Sequence, residues 1–161
     1  GAPVAPIISG GGTAGGSFVE VGVADSYVCA LQSAGAVQCW GYDSSPPTPS
    51  GTFAHIVVGM GFGCGIRRSD STLGCWGSSS FYPSVTSPPS GSYTQLSAYK
   101  DRVCAVRSDG AVACWGRSLS GSLPVGTYLQ VSTGNHHACA LRNDGRIVCW
   151  GTPSYGETTI P

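Results

Sequence analysis

The side chains best placed for chemistry in this sequence are its eight cysteines. They come as Cys29 with Cys39, Cys64 with Cys75, Cys104 with Cys114 and Cys139 with Cys149, and Trp-Gly follows the second member of each pair. Thiols in pairs form disulfides, ligate metals or act in redox exchange. An even number at regular spacing favours disulfides and an oxidising compartment, so an extracellular location, secreted or cell surface, is expected. The three histidines are His55, His136 and His137. His136 and His137 adjoin Cys139, but zinc would need further ligands and the cysteines are already committed, so no metal and no cofactor are expected. There is no Gly-x-Ser-x-Gly elbow, no His-Glu-x-x-His helix and no evident carboxylate pair, so no catalytic residue is assigned and the chain is not read as an enzyme. Asp70, Asp109 and Asp144 recur, at places where aspartate hydrogen-bonds the backbone of a turn.

The elements that must position these cysteines repeat with them. Gly16-Ser17-Phe18, Gly51-Thr52-Phe53, Gly91-Ser92-Tyr93 and Gly126-Thr127-Tyr128 each stand the same distance before the first cysteine of a repeat. Four repeats of about 35–40 residues mark a solenoid or a propeller. Within a repeat the runs are short, β-branched or aromatic, and bounded by Gly, Ser or Asp, as in FVEV, YVCAL and AVQCW. No window has the helical period, so the class is all-β.

Counting across the hairpin explains the cysteine spacing. If Cys104 faces Cys114, then Ala105 faces Ala113, Val106 faces Val112, and Ser108-Asp109-Gly110 remains as a three-residue loop suited to a type I turn closed by glycine. Opposed residues at a non-hydrogen-bonded site lie about 4.5 Å apart at Cα, within reach of a disulfide. Repetition therefore selects Cys29–Cys39, Cys64–Cys75, Cys104–Cys114 and Cys139–Cys149. A second scheme, joining each repeat to the next, stays open and would leave Cys29 to meet Cys149. The second repeat differs: its loop Ser69-Asp70-Ser71 lacks the glycine, and its longer linker SSSFYPSVTSPPSG reads as a surface loop.

Composition restricts the partners. Eight Lys and Arg balance eight Asp and Glu at a charged fraction of 10%, against about 25% in ordinary domains. A neutral chain has no electrostatic footprint for nucleic acid, and no apolar run is long enough for membrane insertion. The expected organisation is a glycine-rich N-terminal arm, 1–15, and one domain, 16–161, with repeats at about 16–50, 51–90, 91–125 and 126–161.

The Gly-[Ser/Thr]-aromatic start, the Cys-Ala-Leu or Cys-Ala-Val strand, the Ser-Asp-Gly or Asn-Asp-Gly turn and the Cys-Trp-Gly end resemble the regulator of chromosome condensation repeat in a secreted, disulfide-bearing form. The tail, from Trp150-Gly151 through Tyr155-Gly156 to Pro161, is similar to the link between such repeats. The resemblance implies a β-propeller of four short antiparallel blades, each stapled by one hairpin disulfide. It also implies an interaction module rather than a catalyst. Since Pro161 stands where another repeat would start, the C-terminal segment is expected to complete the first blade.

Two functions follow as expectations. One is a lectin-like or protein-binding propeller, with Tyr42, Phe81, Tyr82, Tyr99, His136, His137 and Tyr155 as rim contacts for a protein or glycan at the cell surface. Trp40, Trp76, Trp115 and Trp150 are assigned to the core instead. The other is a structural subunit that self-assembles into an extracellular filament through the arm residues Pro3, Val4, Ala5, Pro6, Ile7 and Ile8, so that its partners are copies of itself.

Overall fold

In the computed structural model, residues 17–25, 27–41, 48–77, 83–152 and 156–160 are described. The arm Pro3–Ile8 and the expected contacts Tyr42, Phe81, Tyr82 and Tyr155 lie outside these residues. The chain is all-β: β1 (Phe18–Val23), β2 (Tyr27–Gln32) and β3 (Val37–Gly41) form the first blade, and β4 (Phe53–Gly59), β5 (Phe62–Arg67) and β6 (Leu73–Gly77) the second. The third is β7 (Tyr93–Tyr99), β8 (Arg102–Arg107) and β9 (Val112–Gly116), and the fourth β10 (Tyr128–Thr133), β11 (His137–Arg142) and β12 (Ile147–Gly151). Each blade is an antiparallel sheet in sequence order, with its first strand at the centre of the propeller, where β1, β4, β7 and β10 line a common channel.

The hairpin register is the one that the cysteine count requires. Cys104 opposes Cys114, Ala105 opposes Ala113 and Val106 opposes Val112, and the other blades pair the same way. All four disulfides are within hairpins, with Cα atoms 4.0–4.1 Å apart. The scheme that joins successive repeats is thereby excluded. The turns close on Gly35, Gly110 and Gly145, whose φ angles of 96°, 85° and 84° suit glycine. The second repeat, which lacks that glycine, places Ser71 there at φ 61°. Asp70 supports it, accepting from the backbone N–H of Thr72 at 3.0 Å and its hydroxyl at 2.7 Å. Those two bonds hold the Asp70 carboxyl below its ordinary pKa. Asp109 and Asp144 accept from the N–H of Ala111 and Arg146 in the same way.

The core lies between blades. One face of blade 1, with Cys29, Leu31 and Val37, packs on Phe53, Ile56, Val58 and Trp76 of blade 2. The pattern recurs where Phe62, Cys64 and Ile66 meet Tyr93 and Leu96, and where Cys104, Val106 and Val112 meet Tyr128, Val131 and Trp150. Every blade thus turns one face forward and one back. A backbone hydrogen bond of 2.8 Å crosses each junction, from Phe53 N–H to Gly35 C=O, Tyr93 N–H to Ser71 C=O and Tyr128 N–H to Gly110 C=O.

Three sequence expectations need correction. Trp76 and Trp150 are buried and Trp115 half-buried, but Trp40 is exposed, since no described residue of another blade packs over its face of blade 1. The C-terminal residues 156–160 add no strand to blade 1, whose sheet is β1–β3 alone, and no core cluster joins blade 4 to blade 1 among the described residues. The long second linker is not merely a surface loop. Its 3₁₀ turn, Pro83–Thr86, sinks Val85 between blades 2 and 3, and the Val85 carbonyl accepts from Trp115 Nε1 at 2.8 Å.

Each hairpin disulfide closes a loop of ten or eleven residues, which by chain entropy contributes about 2.5–3 kcal/mol. The double substitution Cys104→Ala with Cys114→Ala should lower unfolding free energy by about that amount. Urea titration followed by tryptophan fluorescence measures it, and an unchanged midpoint would contradict the stapling role.

Candidate functional site

The turns between the first and second strands, Ala24-Asp25, Met60-Gly61, Lys100-Asp101 and Gly134-Asn135-His136, share one end of the propeller with the ends of the third strands, because Tyr27, Phe62, Arg102 and His137 oppose Gly41, Gly77, Gly116 and Gly151. This end is the upper rim. The hairpin turns at Gly35, Ser71, Gly110 and Gly145 form the lower rim.

The Trp-Gly signature belongs to the upper rim. A Cβ on Gly116 would lie 2.2 Å from the Asp101 carbonyl oxygen, and one on Gly151 2.3 Å from that of His136, so only glycine fits. The close approach lets the next residue hydrogen-bond back, from Arg117 N–H to Asp101 C=O and from Thr152 N–H to His136 C=O, both at 2.8 Å. Met60 N–H donates to the Lys100 carbonyl at 2.8 Å, which ties the turn of blade 2 to that of blade 3. Main-chain bonds therefore fix this rim, and its side chains are left to vary.

Arg102 is the strongest anchor there. Its buried guanidinium donates to the carbonyls of Arg117 at 2.7 Å, Gly134 at 2.9 Å and Ser118 at 3.2 Å, which pins two loops of blades 3 and 4. Asp101-Arg102 and His136-His137 occupy the same place in their repeats, just before the first cysteine. In the structure Arg102 is structural, His137 is half-buried and His136 is exposed, its Nε2 2.9 Å from the Asn135 amide. Tyr99 reaches solvent on the same rim with the Lys100 ammonium 5.6 Å from its ring centroid. A pocket of about 150 Å³ opens beside it, among Val23, Asp25, Met60, Tyr99 and Lys100. Thus Tyr99, His136 and His137 share one rim. A second pocket, about 160 Å³, lies at the outer edge between blades 3 and 4, with Trp115, Leu119, Leu123 and Trp150.

The central channel, about 320 Å³, carries a polar set that sequence reading missed. Two positions after each starting aromatic stand Glu20, His55, Gln95 and Gln130, each just past a register shift in its strand. The shift turns that side chain toward the next blade. Glu20 Oε2 accepts from Ile56 N–H at 3.0 Å, and Gln95 Oε1 accepts from Val131 N–H at 2.8 Å. Gln95 Nε2 also donates to the Val131 carbonyl at 3.1 Å. His55 pairs with Glu20 through Nδ1, and its Nε2 lies 3.4 Å from the Leu96 carbonyl. The hydrogen bond to Glu20 raises the His55 pKa above 6.5, partial burial opposes it, and the Glu20 charge and Leu96 carbonyl add to it. The missed signal was a polar residue at one repeated place in otherwise apolar strands.

Residues 129–157 match the Regulator of chromosome condensation (RCC1) repeat. A stretch of 49 residues, 30% of this chain, is 41% identical to the serine/threonine-protein kinase-like protein CCR4 of Arabidopsis thaliana, of which it covers 6%. Among solved structures, the CRINKLY WD40 ectodomain of the Arabidopsis thaliana receptor kinase ACR4 superposes on 92% of this chain and 57% of its own, at TM-score 0.76 and 27% identity. The ectodomain of the Physcomitrella patens receptor kinase CR4 does so over 89% and 43%, at TM-score 0.74 and 26% identity. Yeast RCC1 (Prp20) shares the fold, at TM-score 0.65 and 16% identity over 89% of this chain and 45% of its own. The chain therefore spans about half the length of these propellers. Four disulfides and this likeness to two ectodomains mark an extracellular protein.

The His55 pKa gives the channel a pH dependence. Because the folded value is raised, the contribution to stability is complete below the unfolded value near 6.5 and is lost as pH climbs through the folded value. Glu20 and His55 are the titratable residues lining the channel. Between about pH 6 and about pH 8 the urea midpoint should fall in the native chain. The fall should shrink in His55→Gln, which installs the residue that blades 3 and 4 use. Equal slopes in the two proteins would refute the coupling.

Proposed function

We propose that this chain, a disulfide-stapled propeller whose residues 129–157 match a regulator of chromosome condensation repeat, is a non-catalytic interaction module that binds a protein at the cell surface through its upper rim. The observation that carries this reading is the contrast between frame and rim. Below the rim the four blades repeat the same cysteine register and hairpin disulfide, and three of them the same glycine-closed turn. On the rim each blade presents different chemistry: Asp25, Met60, Tyr99 with Lys100, and Asn135 with His136. A fixed scaffold that displays varied side chains is the arrangement of a recognition surface.

Tyr99 is the central candidate. It offers a large rigid ring beside a cation and a pocket, the kind of group that anchors interfaces. Met60 adds an adaptable apolar surface, and His136 a donor and acceptor on the turn of the neighbouring blade 4. A glycan stacked on Tyr99 would use the same surface.

The test is a binding screen of the native chain against immobilised extracellular proteins and glycans, repeated with rim variants. Tyr99→Ala combined with His136→Ala should weaken any specific interaction tenfold or more, as loss of a hot spot does. Asp109→Ala, on the lower rim, should leave it within about twofold. Undiminished binding by the rim variant, or equal loss in both, would move the site elsewhere.

A further inference from the structure

The junction of blades 2 and 3 and that of blades 3 and 4 are built by the same repeat, and every residue from 83 to 152 is described. They differ in the linker. Residues 78–92 lead from β6 to β7, whereas residues 117–127 lead from β9 to β10, four fewer. The longer linker makes the 3₁₀ turn Pro83–Thr86, which seats Val85, 0% exposed, among Phe62, Cys64 and Tyr93. Its Cγ2 lies 3.0 Å from where a Cβ on Gly116 would stand, and its carbonyl accepts from Trp115 Nε1 at 2.8 Å. One short segment therefore fills the junction and satisfies the indole.

The shorter linker does neither at the next junction. Trp150, the counterpart of Trp115, is 7% exposed, and its Nε1 is buried with no hydrogen-bond partner. Buried donors are ordinarily paired, and one left unpaired costs free energy. Trp150 is also a wall of the pocket of about 160 Å³ at the outer edge, with Leu119 and Leu123 of the linker and with Cys114 and Gly116 of β9. Those two stand in the places that Cys75 and Gly77 hold in the filled junction. The volume is close to the roughly 150 Å³ that holds a benzene-sized group, so the pocket admits one side chain of moderate size. The linker is tied where it stands: Arg102 holds the carbonyls of Arg117 and Ser118, and the Ser120 and Thr152 hydroxyls bond at 2.6 Å. Trp76 Nε1 is unpartnered as well, but linker residues 42–47 of its junction lie outside the described ones, so the site is assigned to Trp150 alone.

We propose that the pocket between blades 3 and 4 is a second binding site, for an uncharged peptide segment of another protein that does there what Val85 does one junction earlier. A branched aliphatic side chain enters the pocket, and the carbonyl of the same residue accepts from Trp150 Nε1. The side chain is aliphatic because tryptophan and leucine line the space, where a charge would lose its hydration without a partner. The peptide supplies an acceptor because an indole N–H is a donor only. It belongs to another protein because this chain's own segment of that form is already buried in the preceding junction. The site goes beyond the rim reading, since it shares no residue with the rim pocket beside Tyr99.

Nitrogen–proton NMR of the native chain reads the indole N–H of each tryptophan, and the probe is capped Tyr-Pro-Ser-Val-Thr-Ser-Pro, the sequence of residues 82–88. Titration into the millimolar range should move the Trp150 signal downfield and saturably, as a donor that gains an acceptor does. Trp115, already bonded to Val85, should stay in place. The same peptide with aspartate for valine should bind at least about tenfold more weakly. Leu123→Glu alters a side chain that is 43% exposed, so the fold should persist while affinity for the valine peptide falls by a similar factor. Tyr99→Ala with His136→Ala should leave that affinity within about twofold, which separates this site from the rim. A Trp150 signal that stays still, that moves equally with the aspartate peptide, or that moves undiminished in Leu123→Glu would overturn the proposal. So would loss of the response in the rim variant.

Discussion

A three-stranded sheet of five- to seven-residue strands has two apolar faces and nothing of its own with which to cover either. Every other feature of the molecule answers that constraint. The disulfide fixes the second and third strands to each other without help from a neighbouring blade, and the half-cystines Cys29, Cys64 and Cys104 are part of the forward face that the next blade covers. The starting aromatic of the next repeat then fills the space above them. Cross-linking and packing thus act on the same surface, which explains why so few charged side chains are needed or tolerated.

The junction is reinforced at both ends of the blade by chemistry that does not depend on side-chain volume. At the lower rim the turn carbonyl accepts the N–H of the incoming aromatic. Along the channel, the residue after the register shift reaches across to the backbone of the next first strand. Blade 2 departs from this by using His55, which answers backward to Glu20 and forward to Leu96. An imidazole can bridge both neighbours where an amide serves one backbone pair, and it brings a titration that the amides lack.

Much of this was legible in the sequence. The cysteine spacing determines the hairpin register, and the register determines the disulfides, because a strand's alternation leaves no freedom once one pair is set. The turn aspartates were legible for a similar local reason. What escaped was whatever depends on a neighbour. Trp40 has the same local sequence as Trp76, yet Trp76 packs against blade 1 and is buried while Trp40 is exposed. Nothing in its local sequence marks Arg102 for burial, yet four carbonyls from two separate loops converge on it and draw it inside. Val85 sits in a Ser- and Pro-rich linker whose composition hides the one side chain that enters the core.

The two rims differ in freedom for a physical reason. On the lower rim, turn conformation and junction bonds use the same residues, and an aspartate or a left-handed glycine is demanded in nearly every blade. On the upper rim the fixing contacts run from one backbone to another, across the approach that the glycine after tryptophan permits. Side chains there can change without disturbing the frame. Where a residue has been drawn into the frame, as Arg102 has, the blade loses a display position and gains a fixed loop. Met60, Tyr99 and His136 stand on the permissive side of that division, so the end of the propeller able to diversify is also the end where pocket, aromatic ring and cation come together.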